Sequence, residues 1–450
     1  MKPGFQSDIH SELIDGLDID HLGRAMRAQI EELYPICRSI TGNGVRETLR
    51  HVGAVVPIDV LEVASGTPVL DWTVPPEWNV RDAYIEDASG NRVVDFRASN
   101  LHVVSYSVPV HARLSRQELD EHLYSLPDRP SLIPYRTSYY NEAWGFCLSD
   151  DTRRSMADGE YEVSIDSTLE PGYLTYGECI LPGDTTDEVL ISTHVCHPSL
   201  ANDNLTGIAI ASRLAEILSR QRHRFTYRFL FIPGTIGSIT WLARNEEGLG
   251  RIKHGLVLSG LGDSGSFTYK RSRRHTAEID LAAEHVLRIQ SEANAIKDFE
   301  PYGYDERQYC SPGFNLPVGN LSRTPFDQYP EYHTSGDNLD FVKTESLVES
   351  LRTCLGIFAV LENNYVYVNL SPRGEPQLGK RGLYESIGGR SDTQALQMAM
   401  LWVLNLSDGD HSLLQIAQQA QMPFAQIQIA ADALADKGLL DVAPAAAPRP

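Results

Sequence analysis

No two cysteines in this 450-residue chain are spaced as CxxC; Cys37, Cys147, Cys179, Cys196, Cys310 and Cys354 are scattered singly. That spacing signals neither a disulfide framework nor a thiolate zinc knuckle, and it leaves most of the thiols to act as small buried hydrophobes. Positive charge is also scarce, with 39 Lys and Arg against 60 Asp and Glu, a formal net charge of −21. A field of that sign repels phosphate backbones and anionic lipids, so neither nucleic acid nor a membrane surface is expected as a partner. No run approaches the ~20 apolar residues of a membrane span, and Met1 to Asp8 carries no apolar stretch after Lys2 of the kind that directs export. A cytoplasmic protein is expected. Internal repeats with a period of roughly 20 to 50 residues are absent as well, which excludes solenoids and propellers.

What is present is ample material for cores: 42% hydrophobic and 22% charged residues, the balance of a soluble globular chain. Length alone suggests about three units. Leu22, Met26, Ile30, Leu33 and Tyr34 recur at helical spacing, and Gly42-Asn-Gly44 breaks that helix from a second piece. From Gly66 to about Ser164 short alternating runs such as Ala83-Tyr-Ile85 and Val93-Val-Asp-Phe96, with a helix expected over Ser115 to Leu126, indicate a β-rich unit. From Glu188 apolar strands (Val189 to Thr193, Tyr227 to Ile232, Gly255 to Ser259) alternate with amphipathic helices. That rhythm predicts an α/β unit with a mostly parallel sheet covered on both faces. After a Pro- and Gly-rich loop, helical patterns at Leu396 to Leu404, Leu413 to Ala420 and Phe424 to Leu434, then Gly438-Leu-Leu440, follow the order of a winged helix. The boundaries expected are 1–65 with 166–385 for the α/β unit, 66–165 for the insert, 386–443 for the winged helix and 444–450 for a loose tail.

The chemistry concentrates where strands end. In open α/β sheets ligands bind beyond the carboxyl ends of the strands. His194 follows the strand Val189 to Thr193, Asp203 lies in Asn202-Asp203-Asn204 just before a helix, Asp263 follows the strand ending at Ser259, and His333 lies in Tyr332-His-Thr-Ser-Gly-Asp337. Imidazole and carboxylate suit zinc, and a catalytic site needs three protein ligands and an open position. His194, Asp203 and His333 provide that set, with Asp263 as a further ligand. His197, three residues on, is the alternative to His194. Taken alone, Asp203 reads equally as a cap of the helix that follows it. Asp337 is placed either to hold loop backbone or to orient His333, and Glu331 is the candidate general base. Arg323, Tyr332 and the run Lys270-Arg-Ser-Arg-Arg274 are candidates for holding a substrate carboxylate. A serine-hydrolase elbow is not expected, because GxSxG is missing around Ser264.

The series strand, His194, Asn202-Asp203-Asn204-Leu-Thr-Gly207, then Tyr332-His333-Thr-Ser-Gly-Asp337, resembles the di-zinc aminopeptidases related to bacterial leucine aminopeptidase and glutamate carboxypeptidase. Closer still is the resemblance to a bacterial group of aminopeptidase-like proteins with an inserted β domain and a C-terminal winged helix, covering about residues 20 to 443. It implies a three-layer sandwich, with His194 as the sheet-end ligand, Asp203 as the bridging carboxylate, Asp263 as a further acid and His333 as the late ligand. Where that family places a pair of glutamates, this chain has Ile232-Pro-Gly234-Thr-Ile-Gly-Ser238; where it has an Asp behind the first His, this chain has Cys196. One zinc is therefore expected, with two as the family precedent. The expected function is zinc-dependent hydrolysis of a peptide or amide bond in a small substrate. The alternative is a catalytically weakened metal protein serving as a ligand-binding or protein-interaction module. A winged helix with Lys437 as its single basic residue between Ser391 and Val442 is expected to pack or associate, including as part of a homo-oligomer, rather than grip DNA.

Overall fold

The computed structural model describes residues 7–326, 328–383 and 392–443. At its centre is an eight-stranded mixed sheet in the order Asp59–Ala64, Tyr173–Leu181, Thr226–Ile232, Glu188–His194, Ile252–Leu258, Val318–Ser322, Thr268–Lys270, Ala295–Lys297. The four strands from Thr226–Ile232 to Val318–Ser322 run parallel, and antiparallel neighbours flank them on both sides. Every residue of Glu188–His194 is buried. A strand covered on both faces needs apolar residues at successive positions, as this one has.

The two-residue period of the strand sends neighbours to opposite faces. Val189 and Ile191 join the core formed with the helices Ile19–Leu33, Asn43–Val55, Thr206–Leu218, Glu278–Gln290 and Thr344–Asn363, while Leu190 joins a second core on the other face. The second core contains Trp241 and Ile239 of the helix Ile236–Asn245, and it continues without a break into Trp78, Ile85, Phe146 and Val163 of the inserted unit. The insert is therefore packed as part of the third layer. With each buried Leu, Ile or Phe worth about 1.5–3 kcal/mol, this shared core fixes the insert against the sheet.

The insert is built on a four-stranded antiparallel sheet, Arg92–Asp95, Glu77–Asp87, Glu160–Glu170 and Val110–Ser115. Its last strand runs to Glu170, past the boundary expected at 165, and only then does the chain return to the main sheet at Tyr173. The helix expected over Ser115 to Leu126 is shorter, Arg116–Asp120: Ser115 and Glu118 close a reciprocal cap at its start, but Leu123-Tyr124 then pairs with Phe146-Cys147. At the C-terminal end Val366–Asn369 pairs with both Asp408–Ser412 and Leu440–Val442, around the helices Asp392–Leu406, Leu413–Ala420 and Phe424–Asp436. The winged helix thus begins at this strand, upstream of residue 386, because its central strand is borrowed from the segment after the long helix. Its buried Leu413, Leu414, Ile427 and Leu434 belong to the same core as the sheet. No described helix is long and apolar enough to cross a membrane.

Candidate metal centre and cavity

His194 is the last residue of a central parallel strand, so its imidazole projects where the loops converge. Nine residues later the chain enters the helix Thr206–Leu218 through Asn202-Asp203-Asn204, and Asp203 is fully buried with His194 Nε2 at 2.8 Å from its Oδ1. His197 Nδ1 lies 3.9 Å from the same oxygen, and His333 Nε2 lies 3.2 Å from Oδ2. Ligand atoms of His194, His197 and Asp203 all fall within 4.8 Å of one another. The structure thus brings together His194, Asp203 and His333, and the choice between His194 and His197 dissolves, since both face the carboxylate.

Three of these buried atoms, His197 Nδ1, Asp203 Oδ2 and His333 Nε2, have no hydrogen-bond partner. Orphaned polar atoms in a protein interior cost about 1–3 kcal/mol each; here Asp203 Oδ2 faces His333 Nε2 at 3.2 Å, His197 Nδ1 faces the other carboxylate oxygen, and in their unprotonated forms all three atoms offer lone pairs. A cation is the species that satisfies them together, and the donor set of imidazoles and one carboxylate is that of zinc. Burial disfavours charge on the His197 imidazole and pushes it down to about 3. Burial also works to raise Asp203, but the charge the surrounding imidazoles carry when protonated, with the His194 and His333 hydrogen bonds, holds the carboxyl well below its usual range.

The supporting contacts come from distant parts of the chain. Asp337 accepts the backbone N–H groups of Asn202 (2.6 Å) and Asp203 (2.9 Å), so it shapes the Asp203 loop and leaves His333 to other neighbours. Arg38, buried, donates to the carbonyls of His197, Leu33 and Pro198. Asn204 Nδ2 reaches His194 Nδ1 at 3.3 Å and so orients the imidazole. Cys196 does not orient the imidazole; its sulfur accepts the Gly234 N–H at 3.2 Å. Tyr332 stacks on His333 with ring centroids 3.9 Å apart, and Tyr304 stacks on His194 at 5.2 Å.

The cluster opens into a cavity of about 510 Å³ with two walls. One comes from the α/β unit, including Gly234, Thr235, Tyr304, Asp305, Arg307 and Tyr332; the other comes from the insert, including Tyr135, Arg136, Tyr139 and Tyr140. Tyr135 presents its ring edge-on to both His197 and His333, and its backbone N–H donates to the His333 carbonyl at 2.7 Å. Pro134 and Thr334 form a β-bridge that locks the two walls together. Thr235, Tyr139 and His333 all line the cavity with φ of 61°, 37° and 53°. Non-glycine residues in that region cost about 1–3 kcal/mol each and gather where geometry serves a site.

Several sequence expectations are corrected. Asp263 is buried but is not brought to the cluster: its oxygens accept from Thr324 Oγ1 (2.6 Å), Gly265 N (2.7 Å) and Asn202 Nδ2 (3.2 Å). Arg323 is buried against Phe267 and donates to Gly265 O, Ser350 Oγ and Glu349, so it cannot face a substrate. Within the basic run, Lys270 pairs with Glu306, Arg271 with Glu284 and Asp298, and Arg273 and Arg274 donate to Asn315. Glu331 is not among the cavity-lining residues; its Cγ lies against Gly336. Gly234 does sit beside the cluster: a Cβ there would contact Cys196 Sγ at 3.4 Å and His194 Cβ at 3.6 Å. The carboxylate that does line the cavity is Asp305, whose Oδ1 accepts Thr235 N–H (2.6 Å) and Ser238 Oγ–H (3.1 Å). Burial raises its pKa. Sequence reading missed Asp305; the signal available was an acidic pair, Asp305-Glu306, in a tyrosine-rich loop.

The family model of a domain of unknown function, DUF4910, matches residues 27–364, and a winged helix-turn-helix model matches 365–442. A Clostridium acetobutylicum protein, provisionally described as a polysaccharide biosynthesis protein with an aminopeptidase-like domain, is 51% identical over 405 residues, 90% of this chain and 93% of its own length. A crystal structure of a provisionally named peptidase from the same organism is 47% identical with a TM-score of 0.91, covering 96% of this chain and 98% of that one. A zinc aminopeptidase from Bacillus subtilis, 12% identical, superposes with a TM-score of 0.55 over 75% of this chain and 94% of its own. At that identity the likeness shows the shared fold.

Proposed function

This chain belongs to the DUF4910 family, and from that premise we propose that it is a zinc-dependent hydrolase that cleaves an amide bond in a small peptide or amide-bearing substrate. The observation that carries the reading is the convergence of three partnerless buried atoms, on His197, Asp203 and His333, at the edge of a cavity. His194, His197, Asp203 and His333 would hold the ion. Zinc bound by such ligands supplies Lewis acidity and brings the pKa of a coordinated water to about 7.

The chain's own residues would do the rest. Asp305, raised by burial and facing the cavity, is the group to accept a proton from the attacking water and return it to the leaving amine, a role worth typically ~100- to 10,000-fold. Its Oδ1 is held by Thr235 and Ser238, which fixes the orientation of the carboxylate. The tyrosine lining, with Tyr332 and Tyr304 flat against two of the imidazoles, shields the cluster from bulk water. The relative's assignment to polysaccharide biosynthesis makes an amide carried on a sugar the first substrate to try. The described cysteines are all free, which suits a reducing, cytoplasmic setting.

Turnover of amino-acid amides and N-acyl amino sugars by the zinc-loaded protein tests the reading, with Asp305→Asn expected to lower kcat at least ~100-fold while zinc stays bound. Gly234, which puts no carboxylate beside His194, favours a second reading, that of a binding module. Tight binding of these compounds with no hydrolysis by the wild type would select it.

A further inference from the structure

In a chain of charge −21, many arginines of the fold are matched to acids: Arg46 to Glu62 and Glu77, Arg228 to Glu178 and Glu188, Arg271 to Glu284 and Asp298, Arg323 to Glu349. Two arginines of the cavity depart from this. Arg307 and Arg136 both line it, yet neither forms an ion pair among the described residues. Arg307 is half-buried, and its Nε is a buried donor without a partner. Among the described residues its side chain makes one hydrogen bond, a long one from Nη2 to Thr235 Oγ1 at 3.5 Å, and its guanidinium stands 5.9 Å from the centre of the Tyr302 ring. Arg136, supplied by the insert, lies over the Tyr124 ring at 4.7 Å and is otherwise exposed.

A guanidinium cannot shed its charge, and leaving one partly desolvated without an acceptor is costly unless an anion arrives. The planar donor fork of arginine fits a carboxylate or phosphate in bidentate fashion. Asp305, two residues before Arg307 on the same wall, feels the Arg307 charge, but its hydrogen bonds go to Thr235 and Ser238 and it forms no ion pair with either arginine. We propose that Arg307, assisted by Arg136, binds an anionic group of the substrate, a carboxylate or a phosphate, so that the amides this protein accepts are acidic molecules. This rests on the cavity being the substrate site. It also gives the insert a purpose in recognition, since one of the two arginines belongs to it.

The test is calorimetric titration of the zinc-loaded full chain with two matched pairs: N-acetylphenylalanine against its carboxamide, and N-acetylglucosamine 1-phosphate against N-acetylglucosamine. The anionic member of at least one pair is expected to bind about 10-fold or more tightly, with the preference lost in Arg307→Gln, partly restored in Arg307→Lys and reduced in Arg136→Gln. The pair that shows the preference identifies carboxylate or phosphate as the group recognised. Equal affinities within both pairs, or a preference that survives both glutamine variants, overturns the proposal; the latter would put the anion on the metal. Arg136 is exposed, so its replacement is expected to leave folding intact, and if Arg307→Gln fails to fold, an unchanged preference in Arg136→Gln is itself a contradiction. Because binding is read without hydrolysis, a protein that never turns over can still show the preference. Failure of the hydrolase reading and failure of anion recognition are thus separate results.

Discussion

Asp203 and Asp263 are both buried acids at the carboxyl end of the central sheet, and their surroundings are opposite in kind. Asp203 faces three imidazoles, and one of its oxygens lacks a hydrogen bond. Asp263 faces N–H and O–H groups from Gly265, Thr324 and Asn202 that saturate it. Burial and position along the fold are the same for both; what separates them is that the neighbours of Asp263 are amide and hydroxyl donors, which can only bring a proton, while those of Asp203 are imidazoles, whose ring nitrogens carry a proton or a lone pair. Fixed donors make a buried carboxylate a structural acceptor. Imidazoles let it exchange protons for a cation.

The contrast can be broken most sharply at Asp203 itself. Asp203→Asn keeps the volume and removes the charge, and zinc affinity measured by chelator competition is expected to fall at least ~100-fold, about 2.7 kcal/mol. Unchanged affinity would erase the distinction. Glu306 extends the comparison to a buried acid whose partner is a cation: it is fully buried and paired with Lys270. Breaking such a pair strands the remaining charge, so Lys270→Met should cost about 3–5 kcal/mol in denaturant unfolding.

Where the acid is nearer to solvent, pH sharpens the picture. The Arg46 guanidinium, through its hydrogen bonds, holds Glu77 down at about 2, joining the insert to the helix Asn43–Val55. A carboxyl depressed in the folded state stabilises fully above its ordinary value near 4.5 and loses that contribution as pH falls through about 2. Glu77→Gln should remove about 1.5–2 kcal/mol at neutral pH and flatten the acid limb of a pH–stability curve. The smallest effect belongs to Asp263→Asn: about 1–2 kcal/mol of stability, from weakened bonds to Thr324 and Gly265, with zinc content unchanged. Loss of zinc in that variant would restore Asp263 as a ligand.

The same distinction explains what could be read from the sequence. His194, Asp203 and His333 were legible because each residue type stands at a strand end or loop that the alternation of strands and helices places on one side of the sheet. The parallel strands and winged-helix helices were legible from their periodicity. Asp263 and Arg323 stand at equally suggestive points, but their partners, Thr324 and Glu349, come from segments that only folding brings near. Asp305, Arg307 and Arg38 were passed over for the converse reason. They lie far from any motif: Asp305 and Arg307 reach the site from the start of the short helix Glu306–Tyr309, and Arg38 through three carbonyl contacts. The strand Val366–Asn369 was missed because four residues after a long helix carry too little pattern to distinguish a strand from a loop.

Anomalous diffraction at the zinc edge from crystals of the zinc-loaded protein puts the metal centre to the most direct trial. A single strong peak within coordinating reach of His194, His197, Asp203 and His333 is the result expected. A peak elsewhere, or none at this cluster with zinc in excess, would contradict the site on which the proposed chemistry depends.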